Sequence, residues 1–199
     1  MENRGARPLS QGELWRVLAA ARTRGPRTLA LVGLLAYTGG RISEVLALRW
    51  RDLRSMREQR WLPHVAYRRQ NVKGKERTRY VPSPPELQTA LYPWWAESPL
   101  TNQGEQLVFP GRRGRAWSRS AATRELEQLL REELGDEGRL SSHSFRKAYA
   151  DRLLAGGLTL PAVSVLLGHS DVSTTMHYLA RPSEAQLELA ARAAGQVQP

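Results

Sequence analysis

Residues 37–44 read Tyr-Thr-Gly-Gly-Arg-Ile-Ser-Glu, and this stretch separates two predicted helices. The Leu- and Ala-rich segment before it, from about Pro26 to Tyr37, predicts a buried helix. Gly39 and Gly40 end that helix, because glycine is a poor helix former. A third, short helix is predicted from about Arg41 to Leu48, with its apolar residues facing the core.

Capping and helix-breaking residues predict further helices on both sides of this stretch. Ser10, with Glu13 three residues later, has the capping-box pattern that marks the start of a first helix. Ser142 is the predicted N-cap of a helix that runs to about Ala155. Other helices are predicted at about 85–95, 118–134 and 161–168, around Tyr178, and after Ser183.

The stretch from Trp50 to Pro85 is different in character, because its Trp, Tyr and Val residues favour strands. Lys73-Gly74-Lys75 predicts a hairpin turn between two of them. The expectation is a small antiparallel sheet of about three strands. The predicted fold class is therefore α+β and mostly helical, with a small three-stranded antiparallel sheet.

Charge and composition narrow the possible functions. The chain of 199 residues has a formal net charge of +11, and only three of its 30 basic residues are lysines. Such a surplus attracts polyanions, nucleic acid first, although an arginine-rich composition can also serve solubility alone. The chain has no cysteine, which excludes disulfides, thiolate metal sites and cysteine nucleophiles. No apolar run is long enough to span a bilayer, so no membrane association is expected.

Four segments carry the chemistry that we expect of this chain. They are Tyr37–Glu44, Lys73-Gly74, His143-Ser144-Phe145-Arg146, and Leu167-Gly168-His169 with Tyr178 nine residues later. In this order and spacing they resemble the tyrosine recombinase, or phage integrase, family, from about Ser10 to Ala180. Phe145 stands where the family usually has leucine, at a packing position. The resemblance implies the tyrosine-recombinase catalytic fold and site-specific cleavage and rejoining of DNA.

The resemblance also implies roles for six residues. Tyr178 would attack the scissile phosphate and hold the 3′ phosphate covalently, and Lys73 would protonate the 5′ leaving oxygen. Two guanidinium groups would bind the non-bridging oxygens. Two imidazoles would contact the same phosphate or accept the tyrosine proton. The arginines are Arg41 and Arg146, and the histidines are His143 and His169. No cofactor and no metal are expected.

Several neighbouring residues have two readings. Glu44 lies one turn after Arg41, so it either orients that arginine or a nearby histidine, or forms an ordinary surface ion pair. The resemblance favours Lys73 over Lys75 as the acid, because Lys73 precedes a glycine as the family's hairpin lysine usually does. Lys75, Arg77 and Arg79 are expected to contact DNA. Taken singly, each residue would more often be structural, and only their combination points to a site.

The resemblance suggests a domain plan and a set of partners. We expect a flexible lead-in (1–9), a catalytic domain (10–180), and a C-terminal helix and tail (181–199) that either pack on their own domain or are exchanged between protomers. No separate N-terminal core-binding domain is expected, and DNA binding by the chain alone should therefore be weak. The expected partners are double-stranded DNA and three further copies in a homo-tetramer on paired sites, in the nucleoid of the cytoplasm. Whether the protein is a monomer off DNA stays open.

Two other functions compete with recombination. A type IB topoisomerase would use similar chemistry as a monomer, and a DNA-binding regulator would never cleave. The segment Thr38–Glu44 argues against the first, and the complete set of six residues argues against the second. The DNA target sequence, the direction of recombination, and cleavage in cis or in trans are not determined by the sequence.

Overall fold

A computed structural model describes residues 5–68, 78–97, 104–136, 139–168 and 184–197. The first helices are α1 (Gln11–Arg24), α2 (Pro26–Thr38) and α3 (Ile42–Leu46), followed by a 3-10 turn at Trp50–Asp52. The later helices are α4 (Pro85–Glu97), α5 (Arg119–Leu134), α6 (Ser142–Ala155), α7 (Leu160–Leu167) and α8 (Glu184–Gly195), with a second 3-10 turn at Arg112–Gly114.

Helix α2 is the centre of the core. All of its residues from Thr28 to Thr38 are buried, which confirms the prediction made from its Leu- and Ala-rich composition. It packs against α1, α4 and α6. The approach to α4 is close at Gly33, where an added Cβ would lie 3.0 Å from the Cβ of Ala90. The residues that follow α2 are therefore held against the centre of the molecule.

The strands form two small antiparallel sheets in the described part of the chain, where the sequence predicted one sheet of three strands. Strand β1 (Arg54–Ser55) pairs with β2 (Arg60–Trp61), and β3 (His64–Tyr67) pairs with β4 (Arg79–Pro82). Pro63 lies between β2 and β3 and has no backbone N–H to donate, so the ladder changes partner there. The register of the second sheet places Tyr67 opposite Arg79.

Both ends of the described chain pack on the helices. Residues 1–9 were predicted to be a flexible lead-in, but the backbone N–H of Arg7 donates to the carbonyl of Arg139 at 3.1 Å and Leu9 is buried. Residues 7–9 therefore contact the helices, and the apolar side chain of Leu9 lies in the core. At the other end, α8 packs on α6 and β4 through a face of alanines.

Two local details complete the fold. The N-cap of α6 is Ser141, whose hydroxyl accepts from the backbone N–H of His143, whereas the sequence predicted Ser142. Both are serines, and only the extended backbone of Ser141 decides between them.

Of the helices in the described ranges, none combines the length and the apolarity that a bilayer crossing requires.

Candidate active site

Arg41 and Glu44 meet at the start of α3. Arg41 is the extended N-cap residue, and its backbone N–H donates to Oε2 of Glu44 at 3.0 Å. A glutamate at the third helical position commonly caps a helix in this way. Nη1 of Arg41 also donates to Oε1 of Glu44, at 3.2 Å. The side chain of Glu44 is 1% exposed and that of Arg41 is 37% exposed, so a buried carboxylate supports a guanidinium that reaches solvent.

Arg79, at the start of β4, binds the same carboxylate from the other side. Its Nη2 lies 2.6 Å from Oε2 of Glu44, and its Nη1 donates to the carbonyl of Leu166 at 2.6 Å. Its guanidinium stacks 4.3 Å from the centre of the Tyr67 ring. The sequence predicted that Arg79 contacts DNA. That DNA contact stays a prediction; in the structure the side chain of Arg79 is only 9% exposed, and both of its Nη atoms bond to acceptors within the protein.

Arg146 brings α6 to the same place. Its Nη1 donates to the carbonyl of Gly39 at 2.8 Å, and its Nη2 donates to the carbonyl of Leu167 at 2.6 Å. Burial, followed by the charges of Arg41 and Arg79, lowers the pKa of Arg146 to about 10. The group therefore stays protonated at neutral pH. Two guanidinium groups, those of Arg41 and Arg79, thus bond to Glu44, and Arg146 lies close enough for the charges of all three to affect its pKa.

The turn at Gly39 and Gly40 has no room for side chains. Gly39 has φ +60°, and an added Cβ would lie 2.6 Å from Cδ1 of Tyr149. An added Cβ on Gly40 would overlap the hydroxyl of Tyr67. That hydroxyl lies 2.5 Å from Oγ1 of Thr38, and burial raises the pKa of Tyr67 to about 12. The two glycines thus allow two tyrosine rings to pack under the Arg41 backbone.

His143 occupies the first turn of α6, one turn before Arg146. Its side chain is exposed, whereas Arg146 is 7% exposed. The three-residue spacing therefore places an accessible imidazole and a recessed guanidinium on neighbouring positions of one helix. The positive end of the helix dipole favours an anion at this end of α6.

The remaining predicted residues lie outside the described ranges. The structure follows α7 to Gly168, which ends the helix with φ +66°, one residue before His169. It also follows β3 and β4, which flank the predicted hairpin, to Arg68 and Thr78. The predicted residues without a described position are Lys73, Lys75, Arg77, His169 and Tyr178.

A second buried carboxylate was missed by the sequence reasoning. Asp52 is fully buried, accepts from the backbone N–H of Arg49 at 2.9 Å, and pairs with the guanidinium of Arg68. Arg68 follows β3 and Arg79 opens β4, and each of these arginines pairs with a buried carboxylate. The only signal in the sequence is an aspartate between apolar residues, which is too common to single out.

No metal site is present in the part of the chain that the structure describes, since no three His, Asp or Glu side chains converge there. The chemistry available to these residues is that of cationic hydrogen-bond donors. Guanidinium groups with fixed orientation bind and stabilise phosphate oxygens. The arrangement therefore fits a phosphodiester as its ligand.

Comparison with known proteins gives a consistent result. The phage integrase family model matches residues 7–184. Tyrosine recombinase XerD of Lacticaseibacillus casei is 32% identical over 177 residues, which are 85% of this chain and 57% of that protein. Tyrosine recombinase XerC of Xanthomonas campestris pv. campestris is 35% identical over 155 residues, which are 77% of this chain and 44% of that protein. The chain thus spans about half the length of these curated relatives.

Solved structures share the fold. The crystal structure of XerA recombinase superimposes with a TM-score of 0.71 at 23% identity, covering 94% of this chain and 63% of that one. XerH recombinase bound to its difH substrate gives a TM-score of 0.68 at 20% identity, covering 96% of this chain and 54% of that one. With the family model matched across most of the chain and the fold shared with these recombinases, the chain belongs to the phage integrase family.

Proposed function

We propose that this chain is the catalytic part of a site-specific DNA recombinase, which cleaves and rejoins strands through a 3′-phosphotyrosyl bond at Tyr178. The observation that carries the proposal is the convergence of Arg41 and Arg146 at the turn that follows α2. These arginines lie far apart in the sequence, yet Arg146 binds the carbonyl of Gly39, two residues from Arg41. The net charge of +11 favours the DNA that such a site would bind.

The arginines would act on the scissile phosphate. Arg41 is supported by Glu44 and open to solvent, and Arg146 is recessed but cationic, so together they would bind the non-bridging oxygens. As the attacking oxygen approaches phosphorus, negative charge on those oxygens increases, and fixed cationic donors stabilise this charge most in the transition state.

The remaining groups would move protons. The hydroxyl oxygen of Tyr178 forms a bond to phosphorus and loses its proton to His143 or His169. The bond from phosphorus to the 5′ oxygen breaks, and Lys73 donates a proton to that oxygen. The reverse reaction, with a 5′ hydroxyl as the attacking group, restores the DNA strand. Because each step exchanges one phosphate ester for another, the cycle needs no ATP, and the two guanidinium groups would supply the charge stabilisation for which other phosphoryl-transfer enzymes use a metal.

Recombination also sets requirements on the partners. Exchange of strands between two double-stranded sites requires four protomers, which would assemble on the DNA of the nucleoid in the cytoplasm. Helix α8 packs on its own α6 through Ala190, Ala193 and Ala194. In the proposed tetramer, α8 would take the equivalent position on α6 of a neighbouring protomer and keep this same face buried there.

A covalent-capture experiment tests the function. The chain is incubated with a pool of nicked duplexes of randomised sequence, which trap a phosphotyrosyl intermediate because the cleaved fragment diffuses away. We expect a denaturant-resistant protein–DNA adduct that is lost in Tyr178→Phe. The matched control is Tyr92→Phe, since Tyr92 is an exposed tyrosine on α4.

The same experiment separates the competing functions. If no duplex in the pool forms an adduct, the chain does not cleave DNA, and the function that remains is that of a DNA-binding regulator. If the chain forms the adduct and relaxes supercoiled DNA, but never joins strands from two sites, it is a topoisomerase. The captured sequences identify the target, and strand exchange between two copies of it would support the recombinase.

A modified substrate decides between Lys73 and Lys75. In a duplex with sulfur at the 5′ bridging position, the leaving group is a thiolate, which needs no protonation because a thiol has a pKa of about 8.5. We expect Lys73→Ala to cleave normal DNA slowly and the sulfur-containing DNA at close to the wild-type rate. If Lys75→Ala behaves in this way and Lys73→Ala does not, Lys75 is the acid.

A further inference from the structure

We propose that Arg79 is a positioning residue, which sets the orientation of Arg41 through Glu44 and anchors the end of α7 to the same carboxylate. This inference rests on the proposed function, because Arg41 is taken to bind the scissile phosphate. Arg79 itself touches neither phosphate nor nucleophile in this proposal. It acts by fixing the groups that do.

The contacts of Glu44 show how the orientation is transmitted. Oε2 accepts from Nη2 of Arg79 at 2.6 Å and from the backbone N–H of Arg41 at 3.0 Å. Oε1 is thereby directed towards Nη1 of Arg41, at 3.2 Å. The shorter contact belongs to Arg79, and a charge-assisted hydrogen bond of this length is strong. Arg79 therefore fixes the carboxylate plane, and that plane fixes the Arg41 guanidinium.

Arg79 and Arg41 differ in burial, and this difference indicates different roles. Arg79 and Glu44 are both almost inaccessible, while Arg41 is partly exposed. A buried carboxylate that lost its buried partner would have to rotate towards another donor or towards water. Arg41 would then lose the contact that holds its side chain before DNA arrives. Pre-orientation of such a group is a large part of catalysis by fixed donors.

Arg79 also holds the end of α7. Its Nη1 donates to the carbonyl of Leu166, and Nη2 of Arg146 donates to the next carbonyl, that of Leu167. The last carbonyls of a helix lack intrahelical partners, and cations there interact favourably with the helix dipole. Two arginines of the site thus cap the helix that leads to His169. A planar fork can reach Glu44 and Leu166 together, which a single ammonium group cannot do.

The first test measures cleavage and DNA binding separately. On the captured target duplex we expect Arg79→Met to form adduct on the order of 10- to 100-fold more slowly than wild type, the range typical of lost supporting contacts. We expect the salt dependence of DNA affinity to stay unchanged. If Arg79 contacted a phosphate, the slope of log K against log salt concentration would fall in magnitude by about 0.9, which would overturn the proposal.

The chain offers a matched control. Arg27 pairs with Glu125 at 3.1 Å and stacks 4.2 Å from the centre of the Trp117 ring, much as Arg79 pairs with Glu44 and stacks on Tyr67. We expect Arg27→Met to cleave at the wild-type rate. A loss of rate in Arg27→Met equal to that of Arg79→Met would show a general effect of removing an arginine, and the proposal would be wrong.

A double mutant separates positioning from a merely structural role. If Arg79 acts through Arg41, the double variant Arg41→Ala/Arg79→Met should cleave within about threefold of Arg41→Ala alone, because coupled residues are not additive. If the fold-losses in cleavage rate of the two single variants multiply in the double variant, the proposal is overturned.

A modified substrate gives an independent readout of the same coupling. A neutral methylphosphonate at the scissile position reduces the need for cationic donors, so it should reduce the rate loss of Arg79→Met as it reduces that of Arg41→Ala.

Two further measurements keep the inference testable. If Arg79→Met does not fold, Arg79→Lys replaces it, and a wild-type cleavage rate in that variant would overturn the proposal. The second measurement needs no activity: the ¹⁵N resonance of Nε of Arg41, assigned with Arg41→Lys, should shift and exchange faster with solvent when Arg79 is changed. An unaltered resonance would overturn the positioning claim. Failure of the wild-type chain to form any adduct would overturn the proposed function alone.

Discussion

Gly39→Ala tests whether the turn after α2 supports the site in the way that the structure indicates. Gly39 has φ +60°, in a region that an alanine enters at a cost of about 1–2 kcal/mol. The new Cβ would also lie 2.6 Å from Cδ1 of Tyr149 and 3.0 Å from Cδ2 of Leu167. Tyr149 is completely buried and cannot move aside freely. Overpacking of this kind costs about 1–3 kcal/mol, so the expected total is about 2–5 kcal/mol.

The matched variant is Gly157→Ala, which isolates the backbone part of this cost. Gly157 has φ +92° and no atom within 4 Å of an added Cβ. We therefore expect Gly157→Ala to lose only the strain of the positive φ, about 1–2 kcal/mol. The two variants should differ in free energy of unfolding by the overpacking cost. In a protein of this length, Gly39→Ala should also lower Tm by on the order of 10 °C.

The measurement is urea unfolding followed by circular dichroism, together with the rate of adduct formation. Gly39→Ala should lose activity beyond its loss of stability, because the carbonyl of Gly39 accepts from Nη1 of Arg146 at 2.8 Å and would move with the turn. Gly157→Ala should cleave normally. Equal unfolding free energies for the two variants would refute the reasoning, since Tyr149 would then have accommodated the new methyl group.

Three other predictions concern buried and ionised groups. Glu44→Ala should lose about 3–5 kcal/mol of unfolding free energy in urea because Arg79 is left buried without its carboxylate. Asp136→Ala, which breaks an exposed pair with Arg131, should lose less than about 1 kcal/mol, and similar losses in the two variants would contradict this. A hydrogen bond from Arg7 lowers the pKa of Glu13 from 4.5 to about 2, so Glu13 stabilises the fold above pH 4.5 and this contribution falls as the pH drops towards 2. Urea midpoints over that range should fall less in Glu13→Gln, and an identical fall would count against the assignment. Burial raises the pKa of Tyr67 to about 12, so Tyr67→Phe should leave the absorbance titration of tyrosine unchanged below pH about 11, and a smaller absorbance change in the variant would contradict the burial.

The parts of the fold that were predicted well depend on local chemistry. Ser10 and Glu13 form the capping box that their spacing indicated, and Gly39 ends α2 in the left-handed conformation that glycine favours. Such signals act within one or two helical turns, so they can be read from neighbouring residues. The predicted boundaries of α2 and α6 accordingly agree with the structure to within a residue or two.

The parts that could not be predicted depend on contacts between distant segments. Arg79 has the same local signals as any arginine at the start of a strand, and only the position of Glu44, 35 residues earlier, turns it inward. The division of the strands into two sheets depends on which backbone groups meet in space. The anchoring of Arg68 on Asp52 escaped notice for the same reason.

The order and spacing of the four segments that contain Arg41, Lys73, His143, Arg146, His169 and Tyr178 were together enough to indicate the family, because each segment is a short run of sequence that can be recognised without the fold. Only the tertiary structure decided that Glu44 is shared between two arginines and that Arg146 binds the carbonyls of Gly39 and Leu167. The physical reason is that the partner of a buried charge is whatever packing brings within hydrogen-bond distance. That partner is determined by the tertiary structure, and it cannot be identified from one segment of the sequence.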